Sequence, residues 1–326
     1  MTLPQVRLQP WYPGQFGVPG SDVPRGLRTS PAGVVFYVSA DHPNATAVAD
    51  GTDPENPLTT ITAAFARLAT FHAEASIQAE GSVIVVAPGV YTDNIVIDSV
   101  NYPSNCTIMA ADPTRYGTIW RPASGNALTI NQTNWVVDGF HFQPAADGAG
   151  VYLLWNAAAS GDGATIQNCY FNGRWGTGLY GIDTTGPSNV TIQNNGFSEF
   201  STGQAAIITR ACWVSPFQNH IIGNTFQECV QCITNALEGY NACVFMHNVF
   251  VEATGLLAAT TTFIDLGGPG HGYNLVTQNI FGGDYSNTGG YTAEASGTDS
   301  WVGNLAFDVG EAEVGDNGLT IAEPAA

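Results

Sequence analysis

The sequence predicts an all-β protein: a single-stranded, right-handed parallel β-helix, or solenoid, with an N-terminal capping helix and an extended N-terminal arm. The first observation is a repeated motif, in which a short apolar run is followed by Asn and then by an aromatic residue. Its phenylalanines recur every 24 to 31 residues, at Phe142, Phe171, Phe197, Phe226, Phe250, Phe281 and Phe307. A period of this size indicates a repeat architecture.

The second observation is another short apolar segment in each unit, at residues 180–183, 206–209, 231–234 and 262–265. Third, no unit contains an i, i+3, i+4, i+7 apolar face long enough for a helix pair, which argues against helical repeats. Short β-branched runs separated by turn residues indicate strands. Stacked coils would place equivalent residues about 4.8 Å apart, with phenylalanines in the core and asparagines stacked in a turn.

Residues 1–33 have a different composition, because six prolines alternate with glycines. Proline at this density excludes a helix or a central strand, so we predict an extended arm; a disordered leader is the alternative. The arm carries Arg7, Arg25 and Arg28 against Asp22, a net charge of +2, so the other 293 residues carry −21. These opposite charges predict that the arm docks on its own body or on a neighbour.

The predicted β-helix spans residues 34–307 and includes one helix near residues 59–72. Thr59 or Thr60 can serve as the N-cap of this helix. The helix would cover the open end of the solenoid, which otherwise exposes unpaired strand edges. Residues 308–326 are predicted to form an acidic C-terminal cap and tail.

The motif units, and the Gly/Asp/Pro loop that precedes the predicted helix, resemble the pectate-lyase-like parallel β-helix superfamily. The resemblance covers about residues 35–307. It implies the fold but no single activity, because the superfamily includes lyases, hydrolases, epimerases, phage tailspikes and inert virion proteins. Since phage β-helix proteins are often trimers, the resemblance also implies a homotrimer.

The chain is acidic, with a formal net charge of −19, eight arginines and no lysine. Nucleic-acid binding needs a basic surface, so we expect no nucleic-acid partner. No apolar run is long enough for membrane insertion, and no signal peptide is expected. Nothing in the sequence indicates a cofactor.

The resemblance implies that an active pectate lyase of this superfamily would use a Lys or Arg as the catalytic base beside carboxylate-bound calcium. Because the chain contains no lysine, a lysine base is excluded. If the protein is an enzyme, the candidate catalytic residues are Asp183, Arg210, Asp265 and His271, the last in a Gly-His-Gly that resembles polygalacturonases. Asp183 and Asp265 are expected three coils apart, at about 14 Å. Glycosidase carboxylates are about 5–9.5 Å apart, so the sequence favours a protein without a catalytic site.

The spacing Cys229-x2-Cys232-x10-Cys243-x3-His247 is seen in zinc sites. In a β-helix these residues fall on two coils, where their side chains would alternate between inward and outward directions. Cysteine is also a common buried residue, so stacked core thiols are the preferred interpretation.

These observations predict a non-catalytic structural protein exposed on a large assembly, similar in kind to phage capsid decoration or tail proteins and located on the virion surface. Its partners would be other protein subunits, contacted by the arm residues Arg7, Trp11, Tyr12, Phe16, Arg25 and Arg28. Two alternatives stay open. One is a polysaccharide lyase, hydrolase or tailspike that acts on a surface glycan, and the other is a glycan-binding module without chemistry.

Overall fold

The computed structural model describes residues 33–112, 114, 116–156, 159–173, 178–209, 217–235, 239–251, 262–267, 272–282, 292–293, 299–307 and 319–320. In these ranges the chain forms three long sheets, named A, B and C, whose neighbouring strands are parallel and come from successive coils. The predicted parallel β-helix is therefore confirmed. The predicted arm and most of the predicted C-terminal cap lie outside the described residues.

Sheet A contains, in spatial order, β1 (Val35–Val38), β2 (Val83–Val86), β5 (Thr107–Ala110), β8 (Val136–Asp138), β12 (Thr165–Gln167), β15 (Thr191–Gln193), β18 (His220–Ile222), β21 (Val244–Met246), β24 (Leu275–Thr277) and β27 (Ser300–Val302). Sheet B contains β3 (Gly89–Tyr91), β6 (Thr118–Trp120), β9 (His141–Phe142), β13 (Tyr170–Asn172), β16 (Gly196–Ser198), β19 (Thr225–Gln227), β22 (Val249–Val251), β25 (Ile280–Gly282), β28 (Leu305–Phe307) and the antiparallel β29 (Leu319–Thr320). Sheet C contains β4 (Ile95–Asp98), β7 (Leu128–Asn131), β10 (Ala149–Asn156), β14 (Tyr180–Thr185), β17 (Ala205–Thr209), β20 (Gln231–Asn235), β23 (Thr262–Asp265) and β26 (Thr292–Ala293), and the short β11 (Ala159–Ser160) pairs antiparallel with β10.

The repeated phenylalanines form a continuous stack inside sheet B. The ring centroids of neighbours from Phe142 to Phe281 are 4.8–5.0 Å apart, and the ring planes are within 4–9° of parallel. This spacing is the distance between neighbouring strands. The register of the coils therefore sets the ring spacing, as the sequence predicts.

The repeated asparagines form a buried ladder at the tight turn between sheets A and B. Its members are Asn195, Asn224, Asn248, Asn279 and Asn304. The Nδ2 group of each of the first four donates to the Oδ1 atom of the next, at 3.0–3.1 Å. The residue before each of them has a positive φ, so Asn194, Gly223, His247, Gln278 and Gly303 turn the chain through the left-handed region.

A second ladder occupies the turn between sheets C and A, which the Phe–Asn motif does not reveal. Its members are Asn219, Cys243, Asn274 and Asp299, and all four are buried. Asn274 donates from its backbone nitrogen and from Nδ2 to Oδ1 of Asp299, each at 2.9 Å. The carboxylate thus takes the acceptor position that an asparagine fills elsewhere.

Helix α1 (Ile61–Ala75) packs on the first coils and is followed by a short 3₁₀ turn (Ser76–Ala79). The Oγ1 atom of Thr60 accepts from the backbone nitrogen of Ala63 at 3.1 Å, so Thr60 is the N-cap. The buried face of α1 includes Phe65, which stacks on Trp135 at 5.7 Å between ring centroids. The predicted capping helix is present and ends three residues later than predicted.

The Asn ladder predicts a specific stability defect for Asn248→Ala. The Asn248 side chain accepts from the Asn224 backbone nitrogen and Nδ2, and it donates to the Ile221 carbonyl and Asn279 Oδ1. We expect the free energy of unfolding to fall by about 3 kcal/mol or more, because each buried polar group without a partner costs ~1–3 kcal/mol. Chemical denaturation measures the change. Gln227→Ala, at an exposed position of the preceding coil, is the control, and an equal effect of both variants would contradict the prediction.

Candidate functional site

Asp183 lies on the outer face of sheet C. Its neighbour Ile182 belongs to the core, and alternation along β14 directs Asp183 outward. The side chain is nevertheless only 3% exposed. Its Oδ1 atom accepts from the Thr185 hydroxyl at 3.2 Å. The carboxylate is therefore held in a covered position on this face.

Asp265 ends strand β23 on the same face and is half-buried. Burial raises the pKa of its carboxyl group, and a hydrogen bond from the backbone nitrogen of Gly267, at 3.0 Å, acts in the opposite direction. The carboxyl group is thus bound by the turn that follows its own strand.

The register separates these two carboxylates. Asp183 pairs with Ile208, and Ile208 pairs with Thr234. Ile233 pairs with Ile264, which places Thr234 level with Asp265. Three strand spacings give about 14 Å, beyond the ~5–9.5 Å of a glycosidase pair. The structure therefore does not bring Asp183 and Asp265 together.

The other two candidate catalytic residues, Arg210 and His271, lie outside the described residues. The same is true of the six arm residues proposed to contact a partner, Arg7, Trp11, Tyr12, Phe16, Arg25 and Arg28.

The candidate zinc ligands are distributed over different corners of the coil. Cys229 and Cys232 are buried next to sheet C, and Cys243 belongs to the ladder between sheets C and A. His247 is exposed at the turn between sheets A and B, where its Nε2 atom contacts Gln278 Oε1. Burial raises the pKa of the Cys243 thiol to about 11. Within the described ranges, no three His, Cys, Asp or Glu side chains form a metal-binding group.

A groove that the sequence analysis missed lies at the corner between sheets B and C in the early coils. It has a volume of about 350 Å³. Its lining residues are Thr92, Arg121, Pro122, Ala123, Gln143, Pro144, Ala145 and Ala146. Arg121 is exposed, and no hydrogen bond or ion pair joins its guanidinium to any described residue. The groove therefore presents one cation and one amide between apolar walls.

The polar end of the groove adjoins an aromatic cluster on the outer face of sheet B. The ring centroid of His141 lies 5.9 Å from that of Tyr116 and 5.1 Å from that of Tyr170. Burial lowers the pKa of His141 to about 4, so its ring is neutral near pH 7. Nε2 of Gln143 is 3.5 Å from Nε2 of His141, whereas the buried Gln143 Oε1 has no hydrogen-bond partner.

A weak sequence signal marks this groove. Residues 120–123 and 142–145 share the order aromatic, polar, Pro, Ala in successive coils. The aromatic residue of each segment is buried and the polar residue lines the groove. The pattern is hard to find in the sequence because it is displaced from the Phe–Asn motif and occurs only twice.

The stacked sheets and the capping helix define the class of this protein as a parallel β-helix. No protein-family profile matches the sequence, and no curated protein matches it. Among solved structures, the chain is similar to pectate lyase Pel9A, with 14% sequence identity, a TM-score of 0.54 and coverage of 87% of this chain and 71% of that chain. The resemblance to the pectate-lyase-like β-helix is thereby confirmed at the level of the fold.

Two further solved structures match the chain with lower scores. The alginate lyase from Paenibacillus sp. str. FPU-7 has 17% identity and a TM-score of 0.46, with coverage of 69% of this chain and 75% of that chain. The tailspike protein of E. coli bacteriophage HK620, solved with a pentasaccharide, has 12% identity and a TM-score of 0.43, with coverage of 84% of this chain and 60% of that chain. Separately, the described residues contain no helix with the length and apolar character needed to span a membrane.

The burial of Asp265 predicts a pH-dependent gain in stability for Asp265→Asn. A carboxyl group with a raised pKa favours the folded state when protonated, and this contribution is lost as the pH rises through its folded pKa. Asp265→Asn should therefore raise the melting temperature at pH 7 and have little effect near pH 3.

Asp53→Asn is the matched control for this experiment. Hydrogen bonds from the Glu55 backbone and Asn56 lower the pKa of Asp53, so its replacement should not stabilise the protein at pH 7. A lower melting temperature of Asp265→Asn at pH 7 would show that the charged carboxylate stabilises the fold.

Proposed function

We propose that this protein is a non-catalytic structural β-helix on the surface of a large assembly, namely a virion, where it serves as a capsid decoration or tail protein. The observation that carries the proposal is the continuous stacking of rings and amides along the rod. The carboxylates of Asp183 and Asp265 are three coils apart, and each accepts a hydrogen bond from a residue two positions along its own chain segment. The described carboxylates of sheet C therefore stabilise the local structure, and the stacked coils form a rigid rod.

The N-terminal arm supplies the attachment in this proposal. Trp11, Tyr12 and Phe16 are large anchors of the kind that dominate protein interfaces. Arg7, Arg25 and Arg28 give the arm a positive charge, whereas the rest of the chain carries −21. The partners are other subunits of the particle, and three copies of the rod associate as a trimer.

Removal of residues 1–33, the predicted arm, tests the attachment. When the truncated chain is produced together with the structural proteins of its parent particle, we expect it to fold but to remain outside particles purified by density-gradient sedimentation. Full-length protein should co-sediment with the particles. Unchanged circular dichroism and thermal unfolding of the truncated chain show that the rod is intact, and equal incorporation of both chains would rule out the arm as the tether.

A second candidate function is favoured by the groove at Arg121. An exposed guanidinium between proline and alanine side chains suits the carboxylate of an acidic sugar. In this version the rod binds an acidic surface glycan, and a glycan-active enzyme would in addition release reducing ends or unsaturated products.

Titration calorimetry with an oligogalacturonate and a neutral oligosaccharide of equal length tests the groove. We expect the acidic ligand alone to bind, and Arg121→Gln to weaken its binding by about tenfold or more, since a charge-assisted hydrogen bond contributes ~1.5–3 kcal/mol. His220→Gln, on the outer face of sheet A, is the control. Equal binding of both ligands would contradict a carboxylate site, and product release that is lost in Asp265→Ala would instead identify an enzyme.

A further inference from the structure

Sheet A has a compact apolar patch on the outer side of its first three strands. The outer apolar face, as we name it, consists of Tyr37, Val83, Val85, Ala87, Met109 and Ala111. These side chains alternate with residues of the main core, such as Phe36, Ile84 and Ile108. The register is continuous, because Tyr37 pairs with Val85 and Val85 pairs with Met109. The face is therefore a single surface that points away from the core.

The outer apolar face is inaccessible to solvent, although it lies on the outside of the solenoid. Its six side chains are only 1–9% exposed. At the other end of sheet A, Leu275 occupies the row of Val83 and is 38% exposed, and Val302 occupies the row of Val85 and is 59% exposed. The fold leaves these outward positions open in the last coils, which indicates that a further layer covers the first coils.

The main packing partners of these strands do not supply this layer. The principal contacts of strands β1, β2 and β5 are with one another, with β8 and with helix α1. The buried side chains of α1 belong to the main core instead of the outer apolar face. In addition, Thr107 pairs with Val83 in the same outward row, and its buried Oγ1 has no hydrogen-bond partner. A covering segment with polar backbone groups would suit this atom.

We propose that residues 1–32 of the N-terminal arm cover the outer apolar face of their own chain. The arm joins the body at this location: the Val34 carbonyl accepts from the Val83 backbone nitrogen at 2.9 Å. A Cβ atom on Gly33 would lie 2.5 Å from the Gly81 carbonyl carbon, so the chain passes close to the second coil. The arm therefore begins at the edge of the face that it covers.

The length and chemistry of the arm fit this position. Thirty-two extended residues reach about 100 Å at ~3.1 Å per residue, whereas three strands span only about 10 Å. The arm contains the apolar residues Val23 and Leu27 close to its attachment, and it carries +2 against −21 on the body. Because proline cannot donate a backbone hydrogen bond, the arm cannot pair as a central strand of a sheet, but it can pack over a sheet face.

This inference goes beyond the proposed function, because it concerns the isolated molecule. It identifies where the arm rests before any assembly forms, and it makes release of the arm from this face a precondition for its use as a tether. Failure of the docking and failure of the tether are distinguishable, since protease protection reports the first and incorporation into particles reports the second.

Trypsin provides the test, because the chain has no lysine and the arm contains three of its eight arginines. In the native full-length protein we expect cleavage after Arg25 and Arg28 to be roughly tenfold slower, or more, than in a synthetic peptide of residues 1–32, since docked segments are protected. Mass spectrometry identifies the products. Equal rates would overturn the proposal without the need for any variant.

Val85→Asp places a charge in the centre of the outer apolar face and should release the arm. The rate of tryptic cleavage of the arm should then rise to nearly the rate measured for the 1–32 peptide. Leu275→Asp, on the outer side of the same sheet, is the matched control and should cleave like the natural protein. Protection that persists in Val85→Asp would overturn the assignment of this face.

Dye binding and the concentration dependence of protection test the docking in two further ways. Truncation to Gly33 should increase binding of a hydrophobic dye, and added peptide 1–32 should reverse the increase; no change in dye binding would count against the proposal. Protection must also be independent of protein concentration. Protection found only in an oligomer would show that a neighbouring copy supplies the arm, and this result would overturn docking within one chain.

Discussion

The spacing between successive coils is the constraint on which the rest of this molecule depends. A parallel ladder places each coil about 4.8 Å above the previous one, and every buried side chain must match that interval. Phenylalanine rings meet the requirement by stacking at 4.8–5.0 Å. Asparagine meets it at the turn, because its amide both donates and accepts along the axis.

The same interval governs what the outer faces can do. Side chains in one row are separated by whole multiples of the coil spacing, so two carboxylates within catalytic distance must come from neighbouring coils or rows. Asp183 and Asp265 share a row but are three coils apart. Arg121 and Gln143, in contrast, follow strands of adjacent coils that pair directly, and they line one groove. A β-helix therefore forms a compact site where adjacent coils carry complementary side chains.

The sequence predicts the interior of this protein better than its surface. Phenylalanine and asparagine recur at equivalent positions in the later coils, as at Phe197, Phe226 and Asn248, so periodicity alone identifies the core stack and the amide ladder. The second ladder was missed because its members, Asn219, Cys243, Asn274 and Asp299, differ in residue type although they share a hydrogen-bonding role. The groove and the outer apolar face were also missed. Whether an outward side chain is covered depends on segments distant in the sequence, about which a local repeat carries no information.

The two ends of the rod differ in a way that bears on the proposed assembly. The first coils are covered by helix α1 and have a buried outer face, whereas the last coils present exposed apolar side chains, among them Val251, Leu275 and Ile280. In the described residues 272–282 and 299–307, Asp299 is the one charged side chain, and it is buried. Molecules with a net charge of −19 repel one another at long range. Exposed apolar side chains such as these often mark contacts with other proteins. The attachment of the arm at the first coils and the exposed apolar side chains in the described part of the last coils give the two ends of the rod different surfaces.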